Sequence, residues 1–332
     1  MKAALALLLL LASAGIASAG DPEIRIARQY GIAYLPLMLM EHDRLIERHA
    51  EAAGLHGLAV RWVTLGTPSA INDALLSGAA DFVAMGPPPF LTLWAKTRGT
   101  ASAISVATPM SSMAMFLNTR NPEIHRVQDF TETDRIALPA VKVSGAALFL
   151  QMAAAQAYGP ANYAKLDRLT VSLSHPDAMT ALLSPHGEIV AHFASPPYQE
   201  EELKDRHIHT VTTSSEILGG PATFTMIVTR DAFAQANPKV IKAVLAAMAD
   251  ALHTIEAAPA AAAADYIELS GDRGSAEADI EALLHDPAIV FTTTPQRVMA
   301  ISNFMYETGL IKSQAASWKD LFIPQLRERQ GS

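Results

Sequence analysis

The chain has 332 residues, of which 50% are hydrophobic and 17% are charged, and its formal net charge at pH 7 is -8. This apolar fraction excludes a disordered protein, and the length suits two lobes of ordinary size. An acidic chain is a poor nucleic-acid binder, because phosphate contacts need clustered cations. The chain contains no Cys, which excludes disulfides, thiolate metal sites, cysteine nucleophiles and lipid attachment at an N-terminal Cys.

The N-terminus has the three parts of a secretory signal peptide. Lys2 supplies a positive charge, residues 3–11 form an unbroken apolar run, and Ala17, Ser18 and Ala19 form a small-x-small cleavage site. The run is short for a membrane span, which needs about 20 apolar residues. We therefore predict cleavage of residues 1–19 and a soluble periplasmic protein without a lipid anchor. An uncleaved membrane anchor is the alternative.

The first half of the mature chain alternates strand and helix patterns. The predicted strands are residues 24–27, 60–65, 81–85, 103–107 and 113–118, and the predicted helices are 34–53, 70–76 and 90–97. Residues 87–89 are three prolines, which favour a turn before the third helix. This alternation is typical of an α/β sheet whose strands are mostly parallel.

The pattern then restarts and ends in a helical tail. Strands are predicted at 135–138, 169–173, 188–194, 208–212 and 224–228, and helices at 145–157 and 178–183. Residues 238–264 and 295–322 show helical patterns, and the tail shows no strand pattern. The sequence therefore predicts two strand-rich halves followed by a helical tail.

The sequence lacks the motifs of the common enzyme classes, because it contains no G-x-G-x-x-G, P-loop, H-E-x-x-H or G-x-S-x-G segment. His207 and His209 lie on one face of a predicted strand, but no third zinc ligand follows at a useful spacing. We interpret Glu200, Glu201 and Glu202 as a solvated face at the start of a helix. The sequence thus predicts no catalytic residue, no cofactor and no metal site.

The candidate binding residues are in short turns at the ends of the predicted strands. In an open parallel sheet, ligands bind outside the carboxyl ends of the strands, and a helix that starts there presents free N–H donors. Any one of these turns could serve only to cap a helix. The candidate ligand-binding residues are Tyr30, Gly31, Thr67, Ser69, Gly86, Pro87, Lys142, Ser144, Gly145, His175 and Tyr198.

Ser144 is the strongest single candidate, because it lies where a strand gives way to a helix. Its hydroxyl and the following N–H groups could point at one acceptor, or Ser144 could be only a helix cap. Lys142 and His175 would favour an anionic ligand if they face the cleft. Exposure to solvent is the alternative for both side chains.

Several segments resemble substrate-binding proteins of ABC importers, in the group that takes aliphatic sulfonates, taurine and nitrate. The resemblance covers nearly the whole mature chain. It includes residues 24–40, the order of Ser77, Gly78, Asp81 and Gly86 within 67–89, the second-lobe segment 135–149, and the C-terminal helix 304–312.

This resemblance implies a two-lobed type II periplasmic binding protein. Lobe 1 would comprise residues 20–118 and 223–332, and lobe 2 residues 119–222, with two crossover hinge strands and a helical C-terminal tail. Each lobe would be a mostly parallel sheet flanked by helices. Such a protein is a monomer without enzymatic activity. It captures a small organic or inorganic anion and delivers it to an inner-membrane permease.

One departure and three alternatives bear on the ligand and the role. Many relatives have Glu-Pro-Tyr where this chain has Ser195, Pro196, Pro197 and Tyr198, so a carboxylate contact to a taurine-like amine would be lost. The ligand could instead be a neutral heterocycle such as a pyrimidine precursor. An enzyme of this fold, similar to the pyrimidine synthase, carries a cysteine-rich motif that this chain lacks. A sensor subunit that presents its ligand to a membrane kinase also fits the sequence.

Overall fold

A computed structural model of the chain describes residues 22–185, 187–271 and 273–332. The predicted signal peptide and its cleavage site lie outside these residues. The strands are β1 (Glu23–Arg28), β2 (Ala59–Thr64), β3 (Phe82–Met85), β4 (Ile104–Ser112), β5 (Phe116–Thr119), β6 (Ile136–Leu138), β7 (Thr170–Ser172), β8 (Ala191–Ala194), β9 (His209–Thr213), β10 (Thr223–Arg230) and β11 (Val290–Phe291). The helices are α1 (Leu35–His42), α2 (Leu45–Ala52), α3 (Pro68–Ser77), α4 (Pro87–Thr97), α5 (Gly145–Tyr158), α6 (His175–Leu183), α7 (Tyr198–Leu203), α8 (Ser214–Leu218), α9 (Asp231–Ala236), α10 (Pro238–Ala257), α11 (Pro259–Ser270), α12 (Glu277–Leu284) and α13 (Val298–Glu307).

The strands form two mixed sheets, and the α/β fold class is confirmed. The first sheet has the order β11-β4-β10-β3-β1-β2, and the second has the order β7-β6-β8-β5-β9. In the first sheet β1 is parallel to β2 and β3, whereas β10 is antiparallel to β3 and β4. In the second sheet β6 is parallel to β7 and β8, whereas β5 is antiparallel to β8 and β9.

Most strands of each sheet run in one direction, as predicted, and the antiparallel strands β5 and β10 lie where the chain crosses between the sheets. Residues 113–115 lead from β4 to β5, and residues 214–222 lead from β9 to β10. Most strands of a sheet end at the edge that faces the other sheet. A strand that enters the sheet at this edge therefore runs antiparallel to them. β5 and β10 are these entering strands, and both lie between antiparallel neighbours.

The two crossings fall close to the predicted lobe boundaries. Residues 116–118, which we assigned to lobe 1, lie in β5 and therefore in the second sheet. The return crossing ends at Thr223, the first residue of β10, which is the boundary the sequence predicted. The division into two lobes joined by hinge strands stays a prediction.

Local chemistry explains two differences from the predicted helices. The predicted helix 34–53 is two helices, α1 and α2, separated at Arg44, which has a left-handed backbone with φ 52°. The three prolines form the first turn of α4 rather than a separate turn. Proline fits there, because the first N–H groups of a helix have no intrahelical partner.

The tail packs mainly on helices of the first sheet and is not wholly helical. α10 packs against α1 and α2, and α11 packs against α1. The short strand β11 lies inside the tail and pairs with β4. Every residue of β3 and β4 is buried. Among the described residues, no helix is long and apolar enough to cross a membrane.

Candidate functional site

A cleft of about 730 Å³, counted with the open solvent at its mouth, lies between the two sheets. The turns after β1, β2 and β3 approach it from the first sheet, and those after β6, β7 and β8 from the second. Its lining residues are Gln29, Tyr30, Tyr34, Gly66, Pro68, Gly86, Pro87, Pro88, Pro89, Thr223, Phe224 and Thr225 on one side, and Met115, Pro139, Ser144, Gly145, Ala146, Phe149, His175 and Ser195 on the other.

The structure brings six of the eleven predicted site residues to this cleft. They are Tyr30, Gly86, Pro87, Ser144, Gly145 and His175. Gly31 and Tyr198 lie beside the cleft and line an adjoining depression together with Tyr30. That these residues bind a ligand stays a prediction.

Thr67, Ser69 and Lys142 do not line the cleft. Thr67 and Ser69 are exposed, and the Thr67 side chain accepts a hydrogen bond from the Ala70 N–H at 3.3 Å as the cap of α3. Pro68, between them, is the residue that lines the cleft. Lys142 is exposed with a left-handed backbone, φ 65°, so its long cationic side chain stays in solvent.

Ser144 both caps a helix and lines the cleft. Its side-chain oxygen accepts a hydrogen bond from the Ala147 N–H at 3.1 Å, and the residue is only 2% exposed. The N–H groups of Gly145 and Ala146, both cleft-lining residues, lie in the first helical turn, where the helix supplies no acceptor. The start of α5 therefore presents backbone donors to a bound molecule.

The start of α4 presents a different surface. Its first three residues are Pro87, Pro88 and Pro89, which have no backbone N–H to donate. All three are buried and line the cleft. The start of α4 therefore gives the cleft an apolar wall rather than backbone donors.

The lining contains no Lys, Arg, Asp or Glu among the described residues. Tyr34 lines the cleft as a buried phenol whose hydroxyl accepts a hydrogen bond from Gln29 Nε2 at 3.2 Å. Burial raises the pKa of the Tyr34 phenol well above its ordinary value, so it stays a neutral hydroxyl. Recognition in this cleft therefore relies on backbone donors, hydroxyls and one imidazole.

That imidazole, His175, is the end of a hydrogen-bonded chain that reaches the core of the second sheet. His175 Nδ1 lies 2.9 Å from His192 Nε2, and His192 Nδ1 lies 2.5 Å from Glu202 Oε1. The other carboxylate oxygen of Glu202 accepts from Asn118 Nδ2 at 2.9 Å. The side chains of His192 and Glu202 are both fully buried.

The interpretation of residues 200–202 as a solvated face is wrong. Glu202 lies four residues after the buried Tyr198, so both side chains face inward on α7. Glu200 and Glu201 are also partly buried. Sequence reasoning missed His192 as well, although a His within the apolar strand Ala191–Ala194 was a signal that could have found it.

Aromatic packing fixes the ring of His175. The ring stacks on Tyr198, with ring centroids 5.8 Å apart and an interplanar angle of 16°. Although part of His175 reaches the cleft, burial and then the neighbouring His192 keep the pKa of His175 well below its ordinary value. His175 is therefore a neutral imidazole.

The two other histidines that the sequence singled out have separate roles. The His209 ring lies 2.8 Å from the Ile124 carbonyl oxygen, and the His207 ring lies 2.8 Å from Asp205. In the part of the chain that the structure describes, no group of three or more His, Cys, Asp or Glu side chains could hold a metal ion.

Comparisons with solved structures bear on the fold. The alkanesulfonate-binding protein SsuA from Xanthomonas axonopodis pv. citri, bound to MOPS, superposes with a TM-score of 0.68 at 20% identity, covering 88% of this chain and 95% of that chain. The conserved Candida albicans CA3427 gene product, which exhibits the generic periplasmic binding protein fold, superposes with a TM-score of 0.65 at 16% identity, covering 94% of this chain and 96% of that chain.

The chain has the fold of a periplasmic binding protein. The periplasmic nitrate-binding protein NrtA from Synechocystis PCC 6803 also shares it, with a TM-score of 0.57 at 11% identity over 79% of this chain and 69% of that chain. No protein-family model and no curated protein sequence matches the chain. These identities are low, so the likeness to the periplasmic binding proteins is one of fold.

Proposed function

We propose that this chain is the solute-binding component of an ABC importer, which holds one small molecule between its two lobes and delivers it to an inner-membrane permease. The observation that carries the proposal is the convergence of strand-end turns from both sheets on one cleft. Ligands of open α/β sheets bind at such strand ends. The SsuA and NrtA structures, whose names describe binding of alkanesulfonate and nitrate, support the same role.

The ligand class that we propose is a small anion of the sulfonate, nitrate or carboxylate type. The first turn of α5 presents the N–H groups of Gly145 and Ala146, and the positive end of a helix dipole favours an anion. Among the residues that the structure describes, the lining has no carboxylate that would repel it. The apolar wall of Pro87, Pro88 and Pro89 suits the hydrocarbon part of an organic anion.

A neutral heterocycle is the second candidate, and one observation favours it. The lining has no Lys or Arg among the described residues, so no ion pair would discriminate an anion from a neutral molecule. Aromatic lining residues such as Tyr30 and Phe149 could pack against a flat ring.

Native mass spectrometry of protein purified without unfolding would identify a carried ligand. A thermal-melt panel would follow, with alkanesulfonates, nitrate and short carboxylates on one side and pyrimidines on the other. A ligand that binds only the folded state raises the melting temperature as its concentration exceeds Kd. Stabilisation by the anions supports the first candidate, stabilisation by pyrimidines the second, and no stabilisation by any small molecule contradicts both.

The proposal extends to location and assembly. We propose that the protein is exported by cleavage after Ala19 and acts in the periplasm as a monomer without enzymatic activity. N-terminal sequencing of the periplasmic fraction should find Gly20 as the first residue. Retention of Met1 or recovery with membranes would contradict export by cleavage. Size-exclusion chromatography with light scattering would test the monomer.

A further inference from the structure

The chain of Glu202, His192 and His175 connects a fully buried carboxylate to the wall of the cleft. Both oxygens of Glu202 are engaged, one by the His192 ring and one by the Asn118 amide, whose Nδ2 can only donate. An ionised carboxylate can only accept, so His192 Nδ1 must carry a proton. The Glu202 carboxylate thereby fixes the tautomer of His192.

A neutral His192 then has a lone pair on Nε2, and it must accept the proton of His175 Nδ1. His175 Nε2, which has no hydrogen-bond partner among the described residues, is in that state a lone pair. The cleft therefore presents a hydrogen-bond acceptor at His175. This state suits a ligand that donates a proton, such as an amide, an amine or a hydroxyl.

One added proton reverses this polarity. A proton on His192 Nε2 gives an imidazolium beside the Glu202 carboxylate, and Nε2–H then donates to His175 Nδ1. His175 stays neutral but must carry its own proton on Nε2. The cleft now presents a donor, and the charges of Glu202 and His192 cancel.

We propose that this chain of side chains is a proton-linked specificity switch, in which an acceptor-only anion binds together with one proton at His192 and a hydrogen-bond-donating ligand binds without it. The inference rests on the proposed function, because it assumes that the cleft holds a small solute. It specifies which protonation state of the site takes which ligand class.

One neighbouring group also takes up a proton near neutral pH, because burial raises the pKa of Glu200 on α7 to about 7. A pH dependence that came from Glu200 would persist in Glu202→Gln. The strands next to His192 place Asn118 and Ala137 directly opposite it, and neither titrates. The titratable groups on the neighbouring elements are Tyr198, which stacks on His175, Tyr30 and Tyr34, which line the same cleft, Glu200 on α7 and the exposed Asp177 on α6. The Asp177 carboxylate accepts a hydrogen bond from the Ser174 hydroxyl at the exposed end of α6. The low pKa of His175 agrees with a proton held on the inner ring.

A measurement without any ligand tests the switch itself. Nitrogen NMR of ¹⁵N-labelled imidazoles distinguishes the two tautomers of each His. Across the pH range in which the protein stays folded, we expect His175 to change from the Nδ1–H to the Nε2–H tautomer without becoming a cation, when the inner ring gains its proton. A His175 that keeps one tautomer throughout, or that titrates to an imidazolium, overturns the proposal.

Calorimetry with a matched pair of probes tests the linkage to binding. Benzenesulfonate is an acceptor-only anion, and benzenesulfonamide is a neutral molecule of similar shape that can donate. We expect benzenesulfonate to lose affinity as pH rises, by up to about tenfold per pH unit, and to take up about one proton when heats are compared in two buffers. Benzenesulfonamide should show the opposite dependence, with weaker binding as pH falls and no proton uptake.

Two variants and a control complete the test. In Glu202→Gln the buried charge is gone, and the pH dependence of benzenesulfonate binding should be lost. If Glu202→Gln does not fold, His175→Gln replaces it, because His175 is partly exposed. The pH dependence of benzenesulfonate binding should be lost in this variant too. His209→Gln is the control, because the His209 ring contacts the Ile124 carbonyl oxygen and is not linked to Glu202, His192 or His175. This variant should keep the wild-type pH dependence.

The outcomes separate the two proposals. Benzenesulfonate binding that is independent of pH supports solute capture and overturns the switch. A tautomer change in NMR with no binding of either probe, and no stabilisation in the thermal-melt panel, supports the switch and overturns solute capture. Equal pH dependence in wild type and both chain variants also overturns the switch.

Discussion

Gly31, in the turn after β1, lies against the carbonyl oxygen of Pro196, in the turn after β8. A Cβ atom on Gly31 would be 3.2 Å from that oxygen and 3.9 Å from Ser195 Oγ. Gly31 also has φ 110° and ψ 163°, a backbone conformation that is essentially restricted to glycine. The two sides of the cleft therefore meet at a residue that cannot gain a side chain without strain.

We predict that Gly31→Ala weakens both stability and ligand affinity. The backbone conformation costs an alanine about 1–3 kcal/mol, and the added methyl group pushes the turns of the two sheets apart. Thermal melts would measure the first effect. Small-angle scattering with and without ligand would measure the second, since the closed state should be less populated and the radius of gyration larger at the same ligand concentration.

Gly99→Ala is the matched control for that substitution. Gly99 has a positive φ of 73°, but nothing lies within 4 Å of its Cβ position. It should lose stability from backbone strain and leave ligand affinity unchanged. If Gly31→Ala behaves like Gly99→Ala in scattering and affinity, the contact between Gly31 and Pro196 does not limit closure.

Substitutions at Ser144 separate its cap from a ligand contact. Ser144→Ala removes both the cap bond to the Ala147 N–H and the hydroxyl, and should lower the free energy of unfolding by about 1 kcal/mol. Ser144→Gly removes the hydroxyl but costs only a few tenths of a kcal/mol as a cap. Calorimetry with the ligand identified by mass spectrometry should show a similar loss of affinity in both variants. Wild-type affinity in Ser144→Gly would leave Ser144 as a cap alone.

We predict that Lys142→Ala leaves ligand affinity and its salt dependence unchanged. The Lys142 side chain is exposed and does not line the cleft, although its position after a strand suggested an anion contact. Titrations at low and high salt would test this, because a charge contact in the site would weaken as salt screens it. A tenfold loss of affinity in Lys142→Ala would show instead that Lys142 contacts the ligand.

The alternation of strands and helices could be predicted because each element carries its own periodic pattern. The turns at helix starts were also predictable, since Thr67, Ser144 and Ser174 all cap helices through their side chains. Each of these signals is local in the chain.

The direction of the central strands and the buried polar chain could not be predicted in this way. The antiparallel pairing of β10 depends on where the chain returns from the other sheet, and no residue within β10 encodes that. The contact between His192 and Glu202 depends on the packing of α7 against β5, which turns one of three consecutive Glu side chains inward. In the sequence, Glu200, Glu201 and Glu202 form a run of three charges, whereas tertiary packing gives each of them a different environment.

Glu200 illustrates this and gives a pH-dependent prediction. Its Oε1 accepts a hydrogen bond from Gln199 Nε2 at 2.8 Å, while its Oε2 is buried without a partner among the described residues. Burial raises the pKa of Glu200 from 4.5 to about 7. The folded state then holds this proton more tightly than the unfolded state, so the free energy of unfolding falls as pH rises from about 4.5 to 7.

Glu200→Gln should remove that loss, because an amide of the same shape stays neutral and can still accept from Gln199. At pH 8 we expect the variant to be more stable than wild type by about 3 kcal/mol, and near pH 4.5 we expect the two proteins to be about equal. Urea unfolding at both pH values measures this difference. Glu201→Gln is the control, since the partly buried Glu201 is paired with Lys204 at 2.8 Å, and its loss should not stabilise the protein at pH 8. A Glu200→Gln variant that is less stable than wild type at pH 8 would show that the carboxylate of Glu200 is ionised and stabilised in the folded protein.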